Sequence, residues 1–271
     1  MLSIALTLAT AAATALLLRR PVSAMLHRSG LARPNWKGVA VAPSGGIVIA
    51  LASIAGHSVA AVVRSQGAPD HLLALGMIIA AYVGLFDDIA GRDSGKGFAG
   101  HVSQSLRVMT VSTGLLKAVF VSLAALMVAR TVSGSLWETL LRAGAIALTA
   151  NLFNLLDLRP GRCIKAYLAV SALGAVLGGL DVHRFGPTSL AAVVFLSDDL
   201  RGRAMLGDGG SNLLGFALGA QIAYSAPMWL VPVWAAAALT LNAASEKYSF
   251  TSVIESNRLL RWLDMLGRPQ D

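Results

Sequence analysis

Long apolar segments separated by short polar connections run through almost the whole chain. An α-helix needs about 20 mostly apolar residues to cross the hydrocarbon core of a bilayer. Measured against that length, the pattern predicts nine spans, at 1–18, 43–63, 71–87, 109–129, 138–156, 163–180, 186–198, 210–226 and 228–245. The predicted fold class is therefore all-α, a polytopic bundle of about nine transmembrane helices.

The two ends of the chain add an expectation each. The first apolar segment is followed by Arg19 and Arg20, whereas a secretory signal carries its positive charge before the apolar run. We therefore expect a retained first helix. The segment 246–271 predicts a cytoplasmic or interfacial amphipathic tail after a transmembrane domain at 1–245. Its apolar residues include Leu259, Leu260, Trp262 and Leu263.

The composition excludes several classes of protein. Hydrophobic residues make up 55% of the 271 and charged residues 13%, against about 25% charged in a soluble domain. The net charge of +8 does not indicate nucleic-acid binding, because the basic residues flank apolar segments and have few aromatic neighbours for base stacking. The single cysteine, Cys163, excludes an intramolecular disulfide and a multi-cysteine metal site.

Lys and Arg residues are distributed unevenly between the two sets of loops. One set, together with the tail, carries 17 of the 22, the other set carries four, and Lys117 lies inside a span. Because cytoplasmic loops are enriched in Lys and Arg, we expect an outside N-terminus and a cytoplasmic C-terminus in the cytoplasmic membrane. Eleven of the 14 acids also fall on the cytoplasmic side. That excess predicts a polar site on this face.

An acid pair, Asp87 and Asp88, closes the third predicted span in the segment VGLFDDIAG. Adjacent carboxylates repel each other unless a proton or a cation lies between them. Mg²⁺ is a natural partner, since it prefers oxygen ligands. The alternative is a pair of acids solvated at a helix end.

The fifth predicted span ends in NLFNLLDL, which places Asn151, Asn154 and Asp157 at i, i+3 and i+6. This spacing predicts that the three polar side chains follow one helix face. Such a face is unfavourable in a membrane unless it lines a wet cavity. The alternative is hydrogen bonding between helices by the two asparagines.

The segment AMLGDGGSNLLGF opens the eighth predicted span with Asp208, Gly209 and Ser211. Backbone N–H groups at a helix N-terminus suit a phosphate oxygen, and Asp208 can hold a metal ion. The alternative is an ordinary N-cap. The glycine density favours the close approach of a ligand.

Two lysines and a second acid pair complete the set of candidates. Lys37, in KGVAVAPSGG, is a weaker substrate-binding candidate, and Lys117 is expected to face the polar cavity as a phosphate contact. We interpret Asp198 and Asp199 as charges compensated by the arginines that follow them.

In this order, the four segments resemble the motifs of the polyprenyl-phosphate N-acetylhexosamine-1-phosphate transferases, the family of the phospho-MurNAc-pentapeptide translocase. The resemblance runs from about Arg33 to Phe216. FDDIAG is similar to the family's aspartate-pair motif, NLFNLLD to its asparagine–aspartate motif, and MLGDGGSNLLG to its GDxGS motif. The ordered set at matching helix ends is more specific than any one motif.

The resemblance implies a Mg²⁺-dependent enzyme that transfers a sugar 1-phosphate from a UDP-sugar to undecaprenyl phosphate for cell-envelope polysaccharide synthesis. UMP is released, a lipid-linked pyrophosphate is formed at the cytoplasmic face, and a homodimer is suggested by analogy. The expected catalytic residues are Asp87, Asp88 and Asp208, with Asp208 and Asp87 at the metal. The expected substrate-binding residues are Lys37, Lys117, Asn151, Asn154, Asp157, Gly209 and Ser211.

Three departures from the family pattern bear on specificity. Pro160 replaces the second aspartate of the nucleotide-side motif, and Met205 stands where an aromatic residue is common. The tail has no histidine motif in ESNRLLRWLD, so Arg258 or Arg261 is a substitute phosphate contact. We expect the reaction type to be retained and the nucleotide and sugar specificity to be altered.

Two other classes of function remain open from the sequence. A transporter or flippase of lipid-linked sugars would carry inverted repeats and charges near mid-membrane, whereas here no repeat is evident and the acids gather on one face. An inactive family member that acts as a scaffold is the third possibility. The presence of all four motif aspartates argues against decay of the site.

Overall fold

The computed structural model of the protein describes residues 1–64, 67–90, 112–179 and 181–269. Within these residues the chain is mostly helical, with nine long helices, two short ones and a small antiparallel ribbon. The long helices are α1 (Leu2–Arg28), α2 (Gly45–Arg64), α3 (Ala68–Ala90), α4 (Thr113–Arg130), α5 (Leu136–Leu156), α6 (Arg162–Gly178), α7 (Val182–Leu200), α8 (Gly207–Ser225) and α9 (Leu230–Ser245). The tail forms α10 (Phe250–Ser256) and α11 (Arg258–Met265), and the ribbon pairs β1 (Arg33–Pro34) with β2 (Ala40–Val41).

Long apolar helices indicate a membrane-embedded protein. Five of them, α1 to α5, are long and apolar enough to cross a bilayer, and α9 is apolar but shorter. Each of the nine segments predicted as a span coincides with one long helix of the described residues. The mostly helical class is confirmed, while crossing by all nine helices and their orientation stay predictions. Most of the predicted loop at 88–108 lies outside the described residues.

Helix α1 and the ribbon differ from the predicted pattern. The first span was expected to end at residue 18, but α1 continues through Arg19 and Pro21 to Arg28. Val22 and Leu26 are buried in the bundle, which stabilises this extension. The ribbon adds two short strands to a fold predicted as all-α, and its turn carries Gly38 at a φ of 79°.

Helix α8 lies at the centre of the bundle, where it packs against α2, α3, α5 and α6. It is buried on every side over Gly209–Ala223. Gly215 and Gly219 allow α5 to approach it closely, since a Cβ on either would lie 2.7 Å from a Cα of that helix. The central position of α8 brings its N-terminus, with Asp208, among the ends of the neighbouring helices.

Candidate active site

Four aspartates and one lysine from four helices form the site. Asp87 and Asp88 come from the end of α3, Asp208 from the first turn of α8, and Asp157 follows directly after α5. Lys117 lies in the first turns of α4. The sequence predicted that these residues share one polar region, and the structure brings them together.

Lys117 joins two of these carboxylates. Its Nζ lies 2.7 Å from Oδ2 of Asp87 and 2.8 Å from Oδ2 of Asp208. Only 11% of the Lys117 side chain is exposed, so the pairs are screened little by solvent. The cation between the two acids is thus supplied by a side chain of the protein, and the bridged pair is Asp87 with Asp208 rather than Asp87 with Asp88.

Asp88 makes a different contact from its neighbour. Its two carboxylate oxygens accept hydrogen bonds from the backbone N–H groups of Asp208, at 3.0 Å, and Gly209, at 3.1 Å. The first N–H groups of a helix have no partner inside it, and a carboxylate there also interacts favourably with the helix dipole. Asp88 therefore fixes the N-terminus of α8. The N–H predicted to bind phosphate at Gly209 donates to this carboxylate in the structure.

Asn154 completes the hydrogen-bond network around Asp208. With its amide nitrogen turned to α8, it donates to Oδ1 of Asp208 at 2.9 Å and to Ser211 at 3.0 Å. Its oxygen then accepts from Lys117 Nζ at 3.1 Å. Ser211 in turn donates to the backbone carbonyl of Asp208 at 3.3 Å. The network holds the Asp208 carboxylate and the Lys117 ammonium in a fixed relation.

Asp157 lies close to this network and accepts a hydrogen bond from the backbone N–H of Gly207. Burial raises the pKa of Asp157 well above its ordinary value, and the neighbouring carboxylates of Asp199, Asp208 and Asp88 raise it further. Asp157 therefore lies close to three other carboxylates at this end of the bundle.

Asp199 is a site-supporting residue that the sequence analysis missed. Its carboxylate accepts from the backbone N–H of Gly161 at 2.7 Å and from that of Leu206. It therefore ties the loop after Asp157 to the loop before Asp208. Its neighbour Asp198 does pair with an arginine that follows it, Arg203, and also with Arg19 of α1. Pairing with a following arginine is thus correct for Asp198, whereas Asp199 accepts from backbone N–H groups and the positive charges that act on it are those of Arg268 and Lys165.

The glycines around Asp208 serve the packing of helices. A Cβ on Gly84 of α3 would lie 2.6 Å from the carbonyl carbon of Asp208, and one on Gly46 of α2 would lie 2.6 Å from the nitrogen of Gly210. Gly207 has a φ of 74°, which L side chains rarely adopt. From the sequence, these glycines were expected to leave room for a ligand. In the structure they let α2 and α3 approach the start of α8.

A cavity of about 550 Å³ opens beside Lys117, between α4, α5 and α9. Its polar wall includes Lys117, Asn151, Asn154, Asn212, Asn242 and Glu246. Its apolar wall includes Val121, Leu148, Leu155 and Leu239. Asn151 lines this cavity and also donates to Asn242 of α9 at 2.6 Å. The alternative of hydrogen bonding between helices therefore applies to Asn151, and a wet cavity stays a prediction.

Lys37 is positioned by a separate element, the turn of the ribbon. Its Nζ lies 5.1 Å from the ring centroid of Trp36, and its backbone N–H donates to Asn35 at 2.8 Å. The guanidinium of Arg159 lies 4.7 Å from the same ring, which links the ribbon to the loop after Asp157. A substrate contact by Lys37 stays a prediction.

No protein-family model matches this chain, and no curated protein matches its sequence.

The oxygen ligands of the site suit Mg²⁺ in part. Within the described ranges, no group of three or more His, Cys, Asp or Glu side chains is arranged to hold a metal ion. Asp87 and Asp208 nevertheless converge on one point, at Lys117 Nζ. Magnesium is commonly bound through one or two carboxylates together with substrate phosphates. Two carboxylates of the described residues therefore converge at this point, and Mg²⁺ binding stays a prediction.

Proposed function

We propose that the protein transfers a sugar 1-phosphate from a nucleotide sugar, of the UDP type, to a polyprenyl phosphate such as undecaprenyl phosphate. The observation that carries this proposal is the position of Lys117, which lies between Asp87 and Asp208 and also lines the cavity. The site therefore offers charged groups for phosphates beside apolar walls for a lipid.

The proposed reaction joins two anionic substrates, so its barrier depends on neutralising negative charge. An oxygen of the polyprenyl phosphate attacks the phosphorus that carries the sugar. The bond from that phosphorus to the bridging oxygen of the nucleotide breaks, and UMP leaves with the bond's electrons. Positive groups that are already in place stabilise the charge that develops on the phosphoryl oxygens.

Lys117 is the residue we assign to that phosphoryl charge. Its ammonium is held by Asp87, Asp208 and Asn154 at distances of 2.7 to 3.1 Å. These contacts use its three N–H donors, so it binds a phosphate by exchanging one of them for a phosphoryl oxygen. Asp88 and Asp199 act as positioning residues, because their contacts are to the backbone at the start of α8 and in the adjoining loops.

Asp87 and Asp208 are the residues that would hold Mg²⁺ in this proposal. A bound magnesium ion would supply Lewis-acid stabilisation of the pyrophosphate oxygens. The charge balance supports a cation requirement, since Asp87, Asp88 and Asp208 all interact with the single positive charge of Lys117. Asn154 and Asp157 remain the candidates for the nucleotide side.

The pairing of acids with arginines at the opposite end of the bundle supports the location that we propose for the site. There the acids are paired with arginines, Asp70 and Asp181 with Arg184 and Glu138 with Arg142. The excess of carboxylates is therefore confined to the end that holds Asp208. We propose that this end faces the cytoplasm, with all nine long helices crossing the membrane and the N-terminus outside.

A transferase assay tests the function. Purified protein is mixed with undecaprenyl phosphate, Mg²⁺ and a panel of nucleotide sugars, and released UMP and lipid products are measured. We expect UMP from at least one sugar nucleotide, and Asp208→Asn should abolish it. Glu255→Gln is the matched control, because Glu255 is an exposed acid paired with Arg159 in the tail. The absence of turnover across the panel, with movement of a lipid-linked sugar between the two leaflets of reconstituted vesicles instead, would favour a transporter or flippase.

A further inference from the structure

Helix α11 buries its acid and exposes its apolar residues, which is the reverse of an amphipathic helix on a water-soluble protein. Its acid, Asp264, is 9% exposed, whereas Leu259 is 65%, Trp262 59% and Leu266 52% exposed. A surface helix in water normally buries its apolar stripe and exposes its charges. Here the acid faces the bundle and the apolar residues point away from it.

The helical geometry accounts for this arrangement. At 3.6 residues per turn, Leu259, Trp262, Leu263 and Leu266 fall on one side of the helix. Asp264 falls on the other side. The exposed side therefore forms a continuous apolar strip, which we call the outer face of α11 and define by these four residues.

The orientation of α11 is fixed by buried ion pairs. Arg162 of α6 binds the Asp264 carboxylate through two nitrogens, at 2.8 and 3.0 Å, and Arg268 binds it at 2.8 Å. Lys165 donates to three backbone carbonyls at the end of the helix, those of Leu263, Asp264 and Leu266. The helix thus has several directional contacts on its inner side, and exposure of the outer face follows from them.

The charges along α11 identify the partner. Asp264 is paired with Arg162 and Arg268, and Glu255 is paired with Arg159. In the part of the chain that the structure describes, Arg258 and Arg261 form no ion pair and are exposed. Trp262 follows Arg261 directly in the sequence. An apolar strip with a tryptophan, on a helix that also carries two exposed arginines, matches the boundary between lipid headgroups and acyl chains.

We propose that α11 lies in the surface of an anionic bilayer. Its outer face enters the boundary between headgroups and acyl chains, and the positive charges of Arg258 and Arg261 attract anionic headgroups. Asp264 keeps the outer face toward the lipid by binding Arg162 on the inner side. This proposal does not depend on the transferase reaction.

Spin labels on the outer face test the proposal in the full-length protein. Leu263→Cys and Trp262→Cys are labelled in nanodiscs that hold one copy, either in phosphatidylcholine or in a mixture with phosphatidylglycerol. The natural Cys163 is buried, which keeps the background low. Ser29→Cys, in the exposed turn after α1, is the matched aqueous position. Collision rates with oxygen report lipid exposure, and those with a water-soluble nickel chelate report water exposure.

We expect oxygen collisions to dominate at both outer-face labels in anionic discs and nickel collisions to dominate at Ser29→Cys. In neutral discs the outer-face labels should shift toward the nickel chelate. The variant with Arg258→Ala and Arg261→Ala should lose the difference between the two kinds of disc. Nickel collisions that dominate at the outer face in both discs would overturn the proposal. So would equal immersion in neutral and anionic discs, and so would protection seen only in discs with two copies, which would indicate a second chain as the partner.

Discussion

The ammonium nitrogen of Lys117 lies 2.8 Å from a carboxylate oxygen of Asp208, and the two residues come from helices that do not follow each other in the chain. Asp87 holds the same nitrogen at 2.7 Å. The lysine therefore occupies the point at which two carboxylates converge. If Asp87 and Asp208 held Mg²⁺, the metal would replace Lys117 as their counter-charge, and the ammonium would become available to substrate phosphates.

Replacement of Lys117 should remove the positive charge that we assign to the reacting phosphates. Removal of one preorganised group that stabilises developing charge typically lowers kcat by about 10² to 10³-fold, and we expect this for Lys117→Met. Release of UMP at saturating Mg²⁺ measures the effect. Lys117→Arg is the charge-preserving control and should retain more activity than Lys117→Met. A Lys117→Met enzyme with the kcat of the parent would exclude this role.

The contact between α3 and the start of α8 should not tolerate a side chain at Gly84. Its Cβ would lie 2.6 Å from the carbonyl carbon of Asp208 and 2.7 Å from the nitrogen of Gly209. We expect Gly84→Ala to lower the free energy of unfolding by about 1–3 kcal/mol, as overpacking does, and to reduce transfer. Thermal unfolding and UMP release are the measurements.

Gly144→Ala is the matched control for Gly84→Ala. A Cβ at Gly144 of α5 meets nothing within 4 Å. Alanine also favours a helix interior over glycine by about 0.5–1 kcal/mol. The control should therefore be neutral or stabilising. Equal unfolding temperatures for the two variants would argue against the close packing at Asp208.

Asp199 should matter for the reaction, although it is not placed to touch substrate. In Asp199→Ala, the buried N–H of Gly161 loses its acceptor, which costs about 1–3 kcal/mol, and the two loops beside the site lose their connection. We expect a lower kcat and a lower unfolding temperature. Asp199→Asn keeps an oxygen acceptor and should recover part of the rate.

A variant of the adjacent Asp198 distinguishes an effect of lost stability on kcat from an effect of lost positioning. Asp198→Ala breaks the pairs with Arg19 and Arg203, so it should also lower the unfolding temperature. Its effect on kcat should be smaller than that of Asp199→Ala. If both variants changed kcat equally, the positioning role of Asp199 would be wrong.

The docking of α11 should depend on pH only in acid. Burial opposes ionisation of Asp264, but hydrogen bonds and charge from Arg162, with Arg268, lower its pKa below the ordinary 3.8. A group whose pKa is lowered in the folded state stabilises that state fully above its ordinary pKa and loses this contribution as the pH falls through the lowered value. The mobility of a spin label at Leu263→Cys should therefore stay constant from neutral pH to about pH 4 and rise below it.

Asp264→Asn should release α11 already at neutral pH. The variant leaves Arg162, whose side chain is 5% exposed, without a charged partner. Breaking a buried pair in this way typically costs about 3–5 kcal/mol. The control Glu255→Gln removes an exposed pair, which is typically worth about 0–1 kcal/mol, and should leave the label immobile. A rigid label in Asp264→Asn would contradict the docking account.

The positions of the long helices could be predicted from the sequence, because hydropathy reports directly on the surroundings of each segment. The grouping of Asp87, Asp208, Lys117 and Asn154 was also predictable, since alternating helices bring their ends together at one face. The partner of each acid was not predictable. Asp87 and Asp88 are adjacent, and a helix turns them about 100° apart, so one pairs with Lys117 and the other with the start of α8.

The contacts that a side chain makes in the packed bundle are not given by the local sequence, and this also explains the other differences between prediction and structure. Asp198 and Asp199 look alike in sequence, yet only the packed bundle shows that Asp199 faces the backbone of two loops. The extension of α1 to Arg28 depends on burial of Val22 and Leu26 by other helices, which no local pattern reports. The role of the glycines near Asp208 likewise became visible only from the neighbours that they contact.

The most direct test of the account follows the phosphorus that carries the sugar. A nucleotide sugar labelled with ³²P at that phosphorus is incubated with the purified protein and undecaprenyl phosphate, with and without Mg²⁺. The account predicts that the label moves into the lipid fraction while unlabelled UMP is released, that omission of Mg²⁺ stops the transfer, and that Asp208→Asn stops it as well. Label that remains in the nucleotide sugar, or transfer that Asp208→Asn leaves unchanged, would contradict it.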